Sequence, residues 1–162
     1  MSVIQFRGNE IKLLQVGQLD DAARLLHSSW HDFYPEHLPA ELTSEKHLGE
    51  FERYLDQHSA HTWMALRNQK PVGIVCVTSN CIDELWVKPR FRRKGIGSSL
   101  VAQALEYMRN RGFTTAQVGL ESFNTQGRAF FDKAGWRMIG AETVRLQPGY
   151  RFEAEVYSTS LE

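Results

Sequence analysis

The chain has 162 residues, 42% hydrophobic and 23% charged, which is ordinary globular usage and enough to bury the core of a single domain spanning 1–162. Nineteen basic residues balance nineteen acidic ones, so no global field favours nucleic acid as a partner. Residues 1–17 hold no apolar run of a leader's length, and nowhere do about 18 apolar residues follow one another. Neither a signal peptide nor a membrane partner is therefore expected, and the cytoplasm is the expected location.

Apolar residues at 11, 13 and 14 predict a first strand. Leu19, Ala22, Ala23, Leu26, Trp30 and Phe33 then recur at helical spacing. Pro35 and Pro39 interrupt the chain, and a second helix is expected to be capped by Thr43 or Ser44 before Leu48, Phe51 and Leu55. From Thr62 to Val77 two β-rich runs flank the polar turn Arg67-Asn68-Gln69-Lys70, the pattern of an antiparallel hairpin. A third run, Ile82 to Val87, ends at Pro89 and leads into a helix carrying Ile96, Leu100, Val101, Ala104 and Met108. Gly112 closes that helix, Ala116 to Leu120 reads as a strand, and Arg128 to Ala134 as a helix ended by Gly135. Trp136 to Leu146 and Tyr150 to Tyr157 flank the turn Pro148-Gly149. This terminal hairpin completes a mixed sheet, so the fold class is α/β. Cys76 and Cys81 lie in apolar surroundings and read as reduced thiols.

Charge is uneven along the chain. The first 62 residues hold ten acids against five bases, and all six histidines fall between His27 and His61. The acids form either solvated helix faces or a negative rim that attracts a cationic acceptor. Only His27 and His31 share a helix face, which argues against a metal site. Between Lys88 and Lys94 five of seven residues are basic, and the run ends in Gly95-Ile96-Gly97 at a helix start. There, unpaired N–H groups, the helix dipole and the absence of side chains suit a phosphate. Leu100 breaks the dinucleotide fingerprint, and no Gly-Lys-Ser/Thr string exists for a Walker loop.

The segment from Leu85 to Gly97, with Arg92-x-x-Gly95-x-Gly97 following a strand, resembles the acyl-CoA signature of the GNAT superfamily of N-acetyltransferases. Asn124 to Trp136 looks like that family's segment running from an asparagine through an alanine and a tyrosine to Gly-Phe. The resemblance implies a mixed, mostly antiparallel sheet flanked by helices, with an acetyl-CoA-binding core at 82–136 and variable acceptor-side helices at 1–60. It implies direct acetyl transfer from acetyl-CoA to a primary amine of a small molecule or peptide, without a metal, in a protein that is often a homodimer. Backbone groups of Leu85, Trp86 and Val87 would pair with the pantetheine arm. Amides from Arg93 through Lys94, Gly95, Ile96 and Gly97 to Ser98 would hold the pyrophosphate, aided by the side chains of Arg92, Arg93 and Lys94. Asn124 would lie near the thioester, or cap a helix. The family's proton-donating tyrosine falls at Phe131, which leaves open a non-catalytic acyl-CoA-binding module as the alternative. Gly119 stands where ribosomal-protein N-terminal acetyltransferases tend to carry a glutamate.

An amine must lose a proton before it attacks a thioester, which calls for a base. Strand alternation turns Leu85 and Val87 to one face and Glu84 and Trp86 to the other, so Glu84 is the expected catalytic base and Asp83 the weaker candidate. Tyr34, Tyr150, Tyr157 and Ser122 are unranked substitutes for the missing tyrosine.

Overall fold

The computed structural model of the protein describes residues 4–6, 9–43, 46–147 and 149–162. Strands β1 (Ile4–Phe6) and β2 (Asn9–Leu13) lead into helix α1 (Leu19–Phe33). A 3-10 turn at Tyr34–Glu36 and the short α2 (Ala40–Thr43) precede α3 (Leu48–His58). Then follow β3 (Thr62–Arg67), β4 (Lys70–Thr78), β5 (Cys81–Val87), α4 (Ile96–Asn110), β6 (Thr115–Glu121), α5 (Thr125–Lys133), β7 (Arg137–Gln147) and β8 (Tyr150–Ser160). The strands form one sheet in the order β1-β2-β3-β4-β5-β6-β8-β7, antiparallel at every junction except β5 to β6. That parallel pair requires a crossover, which α4 supplies. The expected mixed, mostly antiparallel α/β sheet is the one observed.

Alternation along the central strands divides the core into two layers. Trp63 and Ala65 of β3 and Val75 and Val77 of β4 pack with Ile96, Leu100, Ala104 and Met108 of α4. Met64, Leu66, Ile74 and Cys76, one residue out of phase, pack with Ala22, Leu25 and Leu26 of α1 and Phe51 and Leu55 of α3. A strand covered on both faces reads as an unbroken apolar run, and residues 71–77 of β4 are all buried. The 67–70 turn holds Asn68 at φ 51° and Gln69 at φ 64°, the two left-handed residues that a two-residue hairpin of the right twist demands.

Three boundaries differ from expectation. β1 pairs Ile4 with Ile11 and Phe6 with Asn9, extending the sheet by a strand too short to show a period. Helix α3 is capped neither by Thr43, which ends α2, nor by Ser44, which lies outside the described residues together with Pro148 of the last turn. His47 is its N-cap, and its backbone N–H donates to Glu50 Oε1 at 3.5 Å. Helix α5 begins at Thr125 rather than 128, because the Asn124 side chain accepts the Gly127 N–H at 2.9 Å and starts the helix a turn earlier.

Leu55 is 0% exposed where α3 meets α1 and the sheet. Leu55→Ala is expected to destabilise the fold by about 2–5 kcal/mol in urea unfolding, through lost apolar burial plus the cavity left behind.

Candidate active site

Strands β5 and β6 pair over only two positions, Cys81 with Gln117 and Ile82 with Val118. Beyond Ile82, β5 keeps β4 as its partner and β6 keeps β8, and neither has the other. The edge of β5 from Asp83 to Val87 thus lies open toward β6, within the sheet rather than at its rim. Exposed ladder groups of this kind take an extended polar ligand as readily as another strand. Leu85, Trp86 and Val87, the expected pantetheine contacts, lie on this edge. Leu85 and Val87 pack toward α4, and Trp86 packs toward α1 and α3.

A bulge in β5 sets the side chains above this opening. Cys76 faces Glu84 and Val77 faces Ile82, so Asp83 has no opposite residue. Both acids consequently serve the α1 and α3 side: the Tyr54 hydroxyl of α3 donates to Asp83, and Trp86 Nε1 donates to Glu84 Oε2 at 2.6 Å. Burial raises the Glu84 carboxyl to about 7. The charges of Asp83 and Glu121 add to the rise, while the Trp86 hydrogen bond and Lys46 oppose it. Burial likewise pushes the Tyr34 and Tyr54 hydroxyls well above their usual range and the Cys76 thiol up to about 12, so all three stay protonated at neutral pH.

The turn into α4 begins where β5 ends. Arg93 at φ 60° and Gly95 at φ 84° bend the backbone, and the first helical bond runs from the Ser99 N–H to the Gly95 carbonyl at 3.1 Å. The amides of residues 96–98 therefore have no acceptor within the helix. Gly95 is the position where the conformation demands glycine. The glycine at 97 answers to a second constraint, because a Cβ there would lie 3.2 Å from the Phe130 ring, across the contact between α4 and α5. Ile96 is 2% exposed and offers only its backbone. Arg93, Lys94 and Ser98 are exposed. Arg92 departs from expectation: its guanidinium turns back, Nε donating to the Val87 carbonyl at 3.0 Å and Nη1 to Gln126 Oε1 at 3.4 Å. It ties β5 to α5 instead of reaching outward.

Asn124 stands at the other side of the opening. Its Oδ1 is committed to the Gly127 N–H, which turns Nδ2 toward Glu121 Oε2 at 3.5 Å. The Tyr34 hydroxyl, arriving from the end of α1, donates to Glu121 Oε1. Aromatic rings surround this meeting point, with Tyr34 at 6.3 Å from Trp86 and Phe33 at 5.8 Å from Trp86 and 6.0 Å from Phe123. Phe131 lies in the core at 2% exposure, packed edge-on to Phe130 and Trp136.

Glu121 is the residue that the sequence reading missed. Alternation in β6 buries Ala116, Val118 and Leu120 and turns Glu121 to the opposite face, three residues before Asn124, which is the signal that could have found it. Of the unranked hydroxyls, Tyr34 is the one that reaches this place; Tyr157 instead meets Glu155 at 3.4 Å. The histidines do not converge on a metal: among the described residues no group of three or more His, Cys, Asp or Glu could hold one. His37 stacks on Phe123 at 4.7 Å, and His31 contacts the Lys46 carbonyl at 2.7 Å. Among the described residues no helix is long and apolar enough to cross a membrane.

Comparison with known proteins agrees with this geometry. Residues 22–136 match the model of the acetyltransferase (GNAT) family. The peptidyl-lysine N-acetyltransferase YjaB of Salmonella typhimurium is 33% identical over 115 residues, covering 70% of this chain and 71% of that protein. Among solved structures, the PaiA N-acetyltransferase of Thermoplasma acidophilum in complex with coenzyme A superposes with a TM-score of 0.73 at 19% identity, over 91% of this chain and 97% of the other. The yncA structure from Salmonella typhimurium, which holds acetyl-CoA, gives 0.74 at 12% identity over 96% and 95%. A strand pair parted after two positions, an anion-ready helix start and this family match together establish that the chain belongs to the GNAT family of acetyltransferases.

Proposed function

We propose that the protein transfers the acetyl group of acetyl-CoA to a primary amine, with Glu84 taking the amine's proton. The observation that carries this reading is the placement of Glu84 beside the opening between β5 and β6, with its carboxyl raised to about 7. A base works best when its proton affinity matches the working pH, and an ordinary carboxylate would be too weak.

The residues present fit the donor. The open edge from Leu85 to Val87, apart from the Val87 carbonyl that Arg92 takes, offers ladder groups to the amide-bearing pantetheine arm. The helix start at 95–98 offers free amides to a pyrophosphate, and Arg93 and Lys94 add positive charge. Asn124, fixed by its capping bond, presents a polar group near the same opening. In this reading residues 82–136 form the donor core and the helices before residue 60 form the acceptor side. Acetyl-CoA supplies a thioester whose C–S bond breaks as the new C–N bond forms. Glu84 accepts the proton that the amine nitrogen sheds, and Trp86 orients its carboxylate. The departing thiolate is a tolerable leaving group without a strong acid, so the buried Phe131 does not forbid turnover. Peptidyl-lysine, the acceptor in the name of the YjaB relative, is one primary amine that the reading admits.

Glu84→Gln is expected to lower kcat by roughly 10²- to 10⁴-fold with acetyl-CoA affinity nearly unchanged. In the wild type kcat/KM should rise with pH through about 7 and level off above it, as Glu84 loses its proton. Full activity in the variant, measured by CoA release over a panel of amines, would remove the base assignment. Tight acetyl-CoA binding by the wild type without turnover of any amine would favour a binding module instead.

Stability gives a check independent of activity. Between about 4.5 and about 7 the native state keeps a proton on Glu84 that the unfolded chain has released, so this residue's contribution to stability falls as pH rises through that window. Glu84→Gln should therefore be more stable than wild type at pH 8, with the gap closing toward pH 4, as read by thermal unfolding.

Replacing Arg93 and Lys94 together by alanine should weaken acetyl-CoA binding about tenfold, or ~1.4 kcal/mol, in calorimetry. The deficit should shrink in high salt, where both proteins lose the screened part of the attraction.

A further inference from the structure

A chain of polar contacts runs from the start of α5 through the end of β6 to the end of α1. The Gly127 N–H holds Asn124 Oδ1 at 2.9 Å, Asn124 Nδ2 faces Glu121 Oε2 at 3.5 Å, and the Tyr34 hydroxyl donates to Glu121 Oε1. Both carboxylate oxygens of Glu121 are thus acceptors. Neither donor carries charge. Among the described residues no lysine or arginine pairs with Glu121, and the basic side chain that follows in sequence, Arg128, is taken by Glu155 at 2.8 Å. Glu121 is half-buried, oriented from both sides and left with its charge uncompensated.

An amine acceptor reaches the protein as an ammonium ion and reacts as a neutral nitrogen. These two states ask for different partners: a fixed negative charge for the first and a proton acceptor for the second. Resting on the acetyl-transfer reading above, we infer that Glu121 is a second carboxylate of the acceptor site, held by Tyr34 and Asn124 to receive the ammonium of the incoming amine before its proton passes to Glu84. The aromatic rings of Phe33, Tyr34, Trp86 and Phe123 wall the same place, which suits the apolar stem of a lysine-like or alkyl diamine acceptor. Tyr34 acts here as a positioning residue. Its hydroxyl, buried and beside two carboxylates, keeps its proton and directs it at Glu121.

Glu121 also bears on Glu84. The groups facing Glu84 are Asp83 and Trp86 on its own strand, Glu121 from β6, Tyr34 from the end of α1, Tyr54 from α3, Cys76 from β4 and Lys46 from the segment before α3. Of these, Asp83 and Glu121 are the negative neighbours that raise its proton affinity. Removing the Glu121 charge therefore moves Glu84 toward the ordinary carboxylate range.

The test is steady-state kinetics of Glu121→Gln and Tyr34→Phe, with 1,5-diaminopentane and Nα-acetyl-lysine amide as acceptors. Thermal unfolding and acetyl-CoA calorimetry confirm that each variant is folded and binds the donor. Glu121→Gln should raise KM for both amines by about tenfold while kcat changes by less than about threefold, and the acid limb of its kcat/KM profile should move to lower pH. Tyr34→Phe, which leaves the carboxylate but frees it, should raise KM in the same direction by a smaller factor. A folded Glu121→Gln protein with wild-type KM, or with an unmoved acid limb, overturns the inference while leaving the role of Glu84 intact. Should Glu121→Gln not fold, unchanged KM in folded Tyr34→Phe overturns it. Failure of the wild type to acetylate any amine instead overturns the acetyl-transfer reading, and this inference falls with it.

Discussion

The early parting of β5 and β6 is the constraint on which the rest of the site depends. Two parallel strands that stayed paired along their length would satisfy each other's backbone and present nothing to a ligand. Here the pairing stops after Ile82 and Val118, and the strands are drawn off by β4 on one side and β8 on the other. The opening is flanked by the two features that a phosphate-bearing donor with an amide-rich arm would need: an extended backbone edge, and the N-terminus of α4 a short turn beyond it. Arg92, by bonding the Val87 carbonyl and Gln126, ties the end of β5 to α5.

The bulge at Asp83 is the second element of the design. In a regular strand Asp83 and Glu84 would point to opposite faces, and one would enter the α4 layer among Ile96 and Leu100. With Asp83 unpaired, both acids serve the layer of α1 and α3, where Tyr54 and Trp86 meet them. The α4 layer stays apolar, and the α1 and α3 side receives the carboxylates.

Much of this was legible in the sequence, and the boundary is physical. Periodicity locates the strands and long helices because each buries a face, and β5 alternation alone puts Glu84 and Trp86 on one face. The basic run with Gly95 and Gly97 marked the helix start because that geometry restricts residue type. What stayed hidden was tertiary. Glu121 is marked in sequence only by β6 alternation and its place three residues before Asn124, and its significance comes from Tyr34, 87 residues away, and from that asparagine, whose amide is oriented by its own helix cap. Arg92 and Arg93 look alike in a basic run and both are exposed, yet the Arg92 guanidinium is bonded to the Val87 carbonyl and to Gln126. The α3 cap was misplaced because a histidine is a weak cap signal beside Thr43 and Ser44.

The way the carboxylates are held bears on the ligand that the proposed acceptor side would tolerate. A half-buried carboxylate needs hydrogen bonds to offset its lost hydration, and an arginine or lysine would supply them most strongly. At the half-buried Glu84 and Glu121 the donors are instead a tryptophan, and a tyrosine with an asparagine, and a tyrosine meets the exposed Asp83. Neutral donors orient a carboxylate without cancelling its charge, so the negative potential persists; at Glu84 burial is the main cause of the raised proton affinity, and the charges of Asp83 and Glu121 add to it. Lys46 opposes that rise, but it lies at 3.4 Å from Glu50 and shares its charge with that pair. Concentrating uncompensated negative charge costs stability in the free protein. On the proposed reading that cost is offset when a cation arrives, so the arrangement that weakens the free protein would favour an amine-bearing acceptor over a neutral or acidic one.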